Sequence, residues 1–224
     1  EMAPPEEAKP NAFVQLVDRA NPSHGAMGRV EPNGQRVTKL PTKRDRVWGI
    51  GARNREQSYA LNLLLDDRIK LVTIVGKAGT GKTLLALAAA LHKAHEEKVY
   101  QRVLVSRPIF PLGRDIGYLP GDIEEKLQPW MQPIFENLEL LMGLTSEDRR
   151  NGRSYKEMLH LGMLEVEPLT YIRGRSIPDQ FLIVDEAQNL TTHEVKTIVS
   201  RAGEGTKIVL TGDPYQIDTP YMDA

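Results

Sequence analysis

The chain has 224 residues, 40% hydrophobic and 26% charged, which suits one full-sized globular domain with a modest appendage. It contains no run of eighteen apolar residues and no basic-then-apolar N-terminus, so neither a helical membrane span nor a signal peptide is expected. The lack of cysteine excludes disulfide frameworks and thiolate metal sites and suits a cytoplasmic location, while a net charge of −1 leaves nucleic-acid binding to local basic patches.

Residues 1–10, rich in Pro and Glu, read as a tail or linker. Short apolar patches follow at Phe13–Val17, Met27–Val30 and Arg36–Leu40, with Pro-Asn-Gly at 32–34 as a tight hairpin turn. Residues 1–45 are therefore expected to form a linker or small β-rich connector ahead of a main domain at 46–224. The stretch from Arg36 to Arg55 is basic, with seven Lys/Arg and one acidic residue. Asn54–Leu65 has helical spacing, and Leu71–Val75 is a continuous apolar run of the kind a parallel strand buried on both faces shows. Leu84–His95 predicts a helix rich in alanine and leucine. Further strands are predicted at Arg102–Ser106, Phe181–Val184 and Lys207–Thr211. Helical patterns lie at Ile123–Gly143 (broken by Pro129 and Pro133), Ser154–Gly162 and Thr192–Ala202. Alternating strands and helices predict an α/β fold with a mostly parallel sheet flanked by helices, its ligand at the carboxyl ends of the strands.

Gly76-Lys77-Ala78-Gly79-Thr80-Gly81-Lys82-Thr83 fits the P-loop pattern in full, between a predicted strand and a predicted helix. Its glycines let successive N–H groups turn toward phosphates, and the helix that follows adds the positive end of its dipole. Lys82 is assigned to the β- and γ-phosphates and the Thr83 hydroxyl to Mg²⁺. The run Phe181–Val184 ending in Asp185-Glu186 describes a buried strand that delivers carboxylates beside the loop. Asp185 is assigned to Mg²⁺ and Glu186 to the general base that polarises the attacking water. Val209–Gln216 places a polar cluster after the last strand, where Gln216 could sense the γ-phosphate; Gly-Asp-Pro there is also good turn chemistry in any protein. Gln57 could read both donor and acceptor on an adenine edge, though a surface glutamine on a helix is the commoner outcome of such spacing.

The phosphate loop combines with Ser106-Arg107-Pro108, Gly117–Asp122, Tyr171–Arg175, Asp185–Asn189 and Thr211–Asp218. Together these motifs resemble the PhoH family, ATPases related to the first RecA-like domain of superfamily-1 helicases. The resemblance covers roughly residues 45–224. It implies a RecA-like fold, binding of ATP/ADP with Mg²⁺, hydrolysis of ATP, and a ring-shaped homo-oligomer, a hexamer. It also implies Lys82, Glu186 and Gln216 as the catalytic set, Thr83 and Asp185 as metal ligands, and Gln57 as the adenine reader. Val47-Trp48-Gly49 and the basic lead-in are similar to the long members, in which a PIN ribonuclease domain precedes the PhoH domain and ATP-dependent RNA unwinding is coupled to cleavage. Two departures qualify this. No four-carboxylate nuclease site is visible, so this chain is not expected to cut RNA. The sequence also stops soon after the sensor motif, where family members continue with an arginine-containing element, so slow turnover is expected of it.

An arginine is commonly needed to offset charge in the transition state. Arg107, Arg114, Arg173 and Arg175 are candidates, each equally suited to a surface ion pair. The segment Ser106–Gly121, with Arg107, Arg114, Phe110 and Tyr118, suits either RNA contact or a proline-stiffened subunit contact. Trp130 and Phe135 are expected to pack. The functional expectation is an ATPase motor acting on RNA; the alternative is a nucleotide-controlled assembly module without motor activity. A small-molecule kinase fits less well, because Asp185-Glu186 followed by a glutamine sensor favours water as acceptor.

Overall fold

The structure, a computed structural model, describes residues 4–5, 7–21, 23–41, 46–108, 123–144, 154–172 and 174–217, with side chains of the helix at 123–144 described from residue 129. The chain divides into two compact units, Glu1–Arg46 and Val47–Ala224. The first is an antiparallel sheet of β1 (Phe13–Val17), β2 (Gly25–Val30) and β3 (Val37–Lys39), in that order. Pro-Asn-Gly makes the turn between β2 and β3: the Gly34 N–H donates to the Glu31 carbonyl at 2.9 Å, and Val30 pairs with Val37.

The second unit is built on five parallel strands: β4 (Leu71–Val75), β5 (Arg102–Arg107), β6 (Leu164–Pro168), β7 (Gln180–Val184) and β8 (Lys207–Gly212). Their spatial order is β4-β8-β7-β5-β6. Strand period two divides the interior into two cores. Phe181 and Ile183 of β7, with Val103 and Val105 of β5, face a core built with α1 (Arg55–Leu64), α2 (Lys82–Leu91), α3 (Ile123–Leu144) and α4 (Tyr155–His160). Leu182, Val184 and Leu104 face the other, closed by α5 (Leu169–Ile172) and α6 (Thr192–Val199). In α2 every residue from Leu85 to Leu91 is buried, and its four alanines let the helix sit close against the sheet. The expected continuation to His95 is completed by a π-helical turn, His92–Glu96. Phe135 packs as expected, its ring 5.5 Å from that of Tyr155.

Three features differ from expectation. The strand β4 is not buried on both faces: it lies at the edge of the sheet, with Leu71 48% and Val75 65% exposed. An apolar β-branched run reports strand propensity, and it leaves open how many neighbours the strand has. Helix α3 is not broken at its prolines but runs through both, held by the buried stripe Met131, Ile134, Leu138, Leu141 at helical spacing. The Asn137 amide donates to the Pro133 carbonyl at 2.7 Å. Finally, β6 adds a strand that the sequence pattern does not predict, since Glu165 and Glu167 interrupt its apolar residues. They are stabilised on this edge strand by Arg102 and Arg175.

One buried charge lies far from the crevice, at the start of β8. The Lys207 side chain is fully buried, its Nζ donating to the carbonyls of Leu63 (2.8 Å) and Asp66 (2.9 Å) at the C-terminal end of α1. Among the described residues no helix is long and apolar enough to cross a membrane.

Candidate nucleotide site

The phosphate loop joins β4 to α2, as the sequence pattern requires. Gly79 and Gly81 take φ of 73° and 84°, left-handed conformations that side chains disfavour, and Gly81 caps α2 without a side-chain hydrogen bond. The first-turn N–H groups of α2 are thereby left open toward the crevice. The Lys82 ammonium closes over the loop, donating to the carbonyls of Gly76 (2.7 Å) and Lys77 (3.0 Å). Thr80 ties back to Lys77 through its hydroxyl at 2.8 Å. The loop already holds one anion: the Ala78 N–H donates to the Asp213 carboxylate at 2.9 Å. A cradle that orders a carboxylate in this way has the chemistry to accept a phosphate oxygen.

Strand β7 ends at Val184 and delivers Asp185 into the same crevice, its N–H bonded to the Ser106 carbonyl at 2.9 Å. Asp185 is 5% exposed. Its Oδ1 accepts from the Thr83 hydroxyl at 2.7 Å and from the Thr211 hydroxyl at 2.6 Å. Three oxygen-bearing side chains from α2, β7 and β8 therefore converge, with no nitrogen or sulfur donor in the group. That donor set fits a hard cation such as Mg²⁺ better than zinc or copper. Asp185 and Thr83 are the residues that would hold it, with Thr211 orienting the carboxylate from behind.

Glu186 follows with φ 55° and ψ 39°, left-handed geometry for a residue with a side chain and a local cost of about 1–3 kcal/mol. The turn brings its carboxylate into reach of two partners. Arg107, at the end of β5, lies 3.5 Å from Oε1 and also donates to the Trp130 carbonyl at 3.3 Å. The Gln188 amide donates to Oε2 at 2.5 Å.

Gln216 sits in the turn after β8, its N–H donating to the Asp213 carbonyl at 3.0 Å, with its side chain exposed. Its carbonyl accepts from Gln188 at 2.9 Å. Gln57 lies against the loop, where its amide donates to the Thr80 carbonyl at 3.1 Å and accepts from the Arg53 N–H at 2.8 Å. Both polar ends of Gln57 are thus engaged by the protein itself.

The family model described as PhoH-like protein matches residues 49–224. The chain belongs to the PhoH family. It is 53% identical over 215 residues to Protein PhoH2 of Bacillus subtilis (strain 168), covering 96% of this chain and 48% of that protein. It is 45% identical to Protein PhoH2 of Mycolicibacterium smegmatis over 86% of this chain and 42% of that one. The chain thus spans about half the length of the curated relatives it matches. Among solved structures, the Sulfolobus solfataricus SWI2/SNF2 ATPase core in complex with dsDNA is similar in fold at 14% identity and a TM-score of 0.47, over 82% of this chain and 37% of that one.

Within this PhoH domain the sheet is parallel and flanked by helices as expected, and the strand bearing Asp185-Glu186 is separated from the phosphate-loop strand by β8. The fold and phosphate loop are those of a P-loop ATPase. Of the four arginines considered, Arg107 reaches Glu186, whereas Arg175 is engaged by Glu165 and Glu167 on the edge strand. Arg114 and Arg173 lie outside the described residues, as do Phe110 and Tyr118. Sequence reasoning assigned no role to Thr211, Asp213 or Gln188. Asp213 and Thr211 stand inside the polar cluster after the last strand, and Gln188 inside the Asp185–Asn189 motif, but no residue pattern gives any of them a partner.

Proposed function

We propose that this domain is a Mg²⁺-dependent ATPase that drives RNA unwinding or remodelling. The observation that carries the hydrolytic part is the meeting of Lys82 and Thr83 with Asp185 and Glu186 in one crevice at the carboxyl ends of β4, β7 and β8. Lys82 swings from the loop carbonyls to the β- and γ-phosphates and offsets their charge. Bound Mg²⁺ supplies Lewis-acid charge neutralisation across the phosphate oxygens. Glu186 accepts a proton from the attacking water, and Arg107, beside its carboxylate, is placed to offset negative charge in the crevice. Gln216 reports the γ-phosphate, and Gln57 turns its amide toward adenine.

The RNA part is supported by the family resemblance. On the same basis the domain works in a homo-oligomeric ring, a hexamer, and in the longer protein is coupled to a PIN ribonuclease domain. The test is ATP turnover by the full-length protein with and without single-stranded RNA. Stimulation of about tenfold or more supports the motor. Turnover unaffected by RNA refutes it in favour of a nucleotide-controlled assembly module.

A further inference from the structure

Gln188 has no part in the chemistry proposed above, yet each polar position of its amide is used. Nε2 donates to Glu186 Oε2 at 2.5 Å and to the Gln216 carbonyl at 2.9 Å, while Oε1 accepts from the Asp213 N–H at 3.1 Å. A primary amide has two N–H donors, and here each has its own acceptor. Turning the amide over would set its oxygen against a carboxylate and a carbonyl, so the network fixes one orientation. Asp213 carries the connection onward: its carboxylate accepts from the Tyr215 N–H at 3.0 Å and from the Ala78 N–H of the phosphate loop at 2.9 Å. An unbroken path thus runs from the base, through Gln188 and Asp213, to the loop that receives phosphate.

Gly212 gives independent support. A Cβ built there would lie 2.9 Å from Gln188 Oε1 and 3.2 Å from the Gln188 N. Only glycine lets the end of β8 approach the turn after β7 closely enough for Gln188 to span them. Glu186 itself is held on both carboxylate oxygens and from a left-handed backbone, so its aim depends on its neighbours.

We propose that Gln188 is a positioning residue that couples the aim of Glu186 to the phosphate loop through Asp213. The inference rests on Glu186 acting as the base. A positioning role means that Gln188 sets the orientation of the carboxylate relative to bound nucleotide, so its loss lowers the rate of the chemical step and leaves ATP binding intact. Methionine matches glutamine in length and removes only the hydrogen bonds. At Gly212, alanine acts from the other side: its Cβ meets the Gln188 amide oxygen first and the Gln188 backbone N next, so the side chain is pushed aside and the turn after β7 gives by a few tenths of an ångström.

The experiment is single-turnover ATP hydrolysis with Mg²⁺, alongside ATP affinity, for wild type, Gln188→Met, Gly212→Ala, the double variant and Glu186→Gln. Gln188→Met and Gly212→Ala should each slow hydrolysis about 10- to 100-fold, as misplacement of a catalytic group does. ATP affinity should stay within about threefold of wild type. The double variant should be no slower than the slower single one, because both changes cut the same path. A wild-type rate for Gln188→Met, while Glu186→Gln is inactive, would overturn the coupling and leave Glu186 as base. Slowing matched by an equal loss of ATP affinity, or effects that multiply in the double variant, would also overturn it. A wild-type rate for Glu186→Gln would remove the base assignment itself, and the coupling with it.

Discussion

Replacing Lys207 by methionine should change how stability depends on pH. Burial lowers the pKa of Lys207 from the ordinary 10.5 to about 8, against the opposing pull of Asp67 and Asp66 and with help from Lys93 and Lys70. Below about pH 8 the ammonium is charged in both folded and unfolded chains, and the fold bears the whole cost of burying it, about 3 kcal/mol. Between about pH 8 and 10.5 the folded chain releases the proton while the unfolded chain keeps it, so stability rises with pH. From pH 7 to pH 9.5 the gain is about 2 kcal/mol. Urea denaturation of wild type and Lys207→Met at those two pH values isolates this contribution, since the other titrating groups are common to both. The difference in unfolding free energy should move toward the wild type by about 2 kcal/mol at the higher pH. A difference that is the same at both would refute the buried-lysine argument.

Thr211→Val removes one of the two hydroxyls that hold Asp185 Oδ1. The Mg²⁺ concentration for half-maximal turnover should rise about tenfold, in line with the loss of an outer-shell partner; an unchanged Mg²⁺ titration would separate Thr211 from the metal site. Thr191 caps α6 in a reciprocal box with Glu194, so Thr191→Ala should cost about 1 kcal/mol in denaturant unfolding while ATP turnover stays at the wild-type level. Loss of turnover without loss of stability would show that α6 has a role beyond support.

The phosphate loop was legible because its chemistry demands contiguous residues: glycines to turn the backbone, a lysine and a hydroxyl one after the other, a strand before and a helix after. Asp185-Glu186 was nearly as clear, since a buried strand ending in two acids has few other uses beside such a loop. Gln188 and Asp213 were not legible in the same way. Their contact joins residues 25 positions apart and depends on β7 lying against β8 with Gly212 at the crossing. The edge position of β4 was hidden for a related reason. Local pattern reports that Leu71–Val75 is a strand, whereas its neighbours are decided by the order in which the whole sheet assembles. In α3 the prolines read locally as breakers, but the buried stripe from Met131 to Leu141 outweighs them once there is a core to face. The strand β6 has no continuous apolar signature in the sequence because its glutamates owe their partners to Arg102 and Arg175.

On the proposed function, this crevice binds ATP through its loop and hydrolyses it through Glu186. Single-turnover hydrolysis of radiolabelled ATP by wild type and Glu186→Gln, with nucleotide binding measured on the same samples, tests it most directly. The variant should bind ATP within about threefold of wild type and release phosphate at least about 100-fold more slowly. Equal rates of phosphate release by the two proteins would exclude Glu186 as the base.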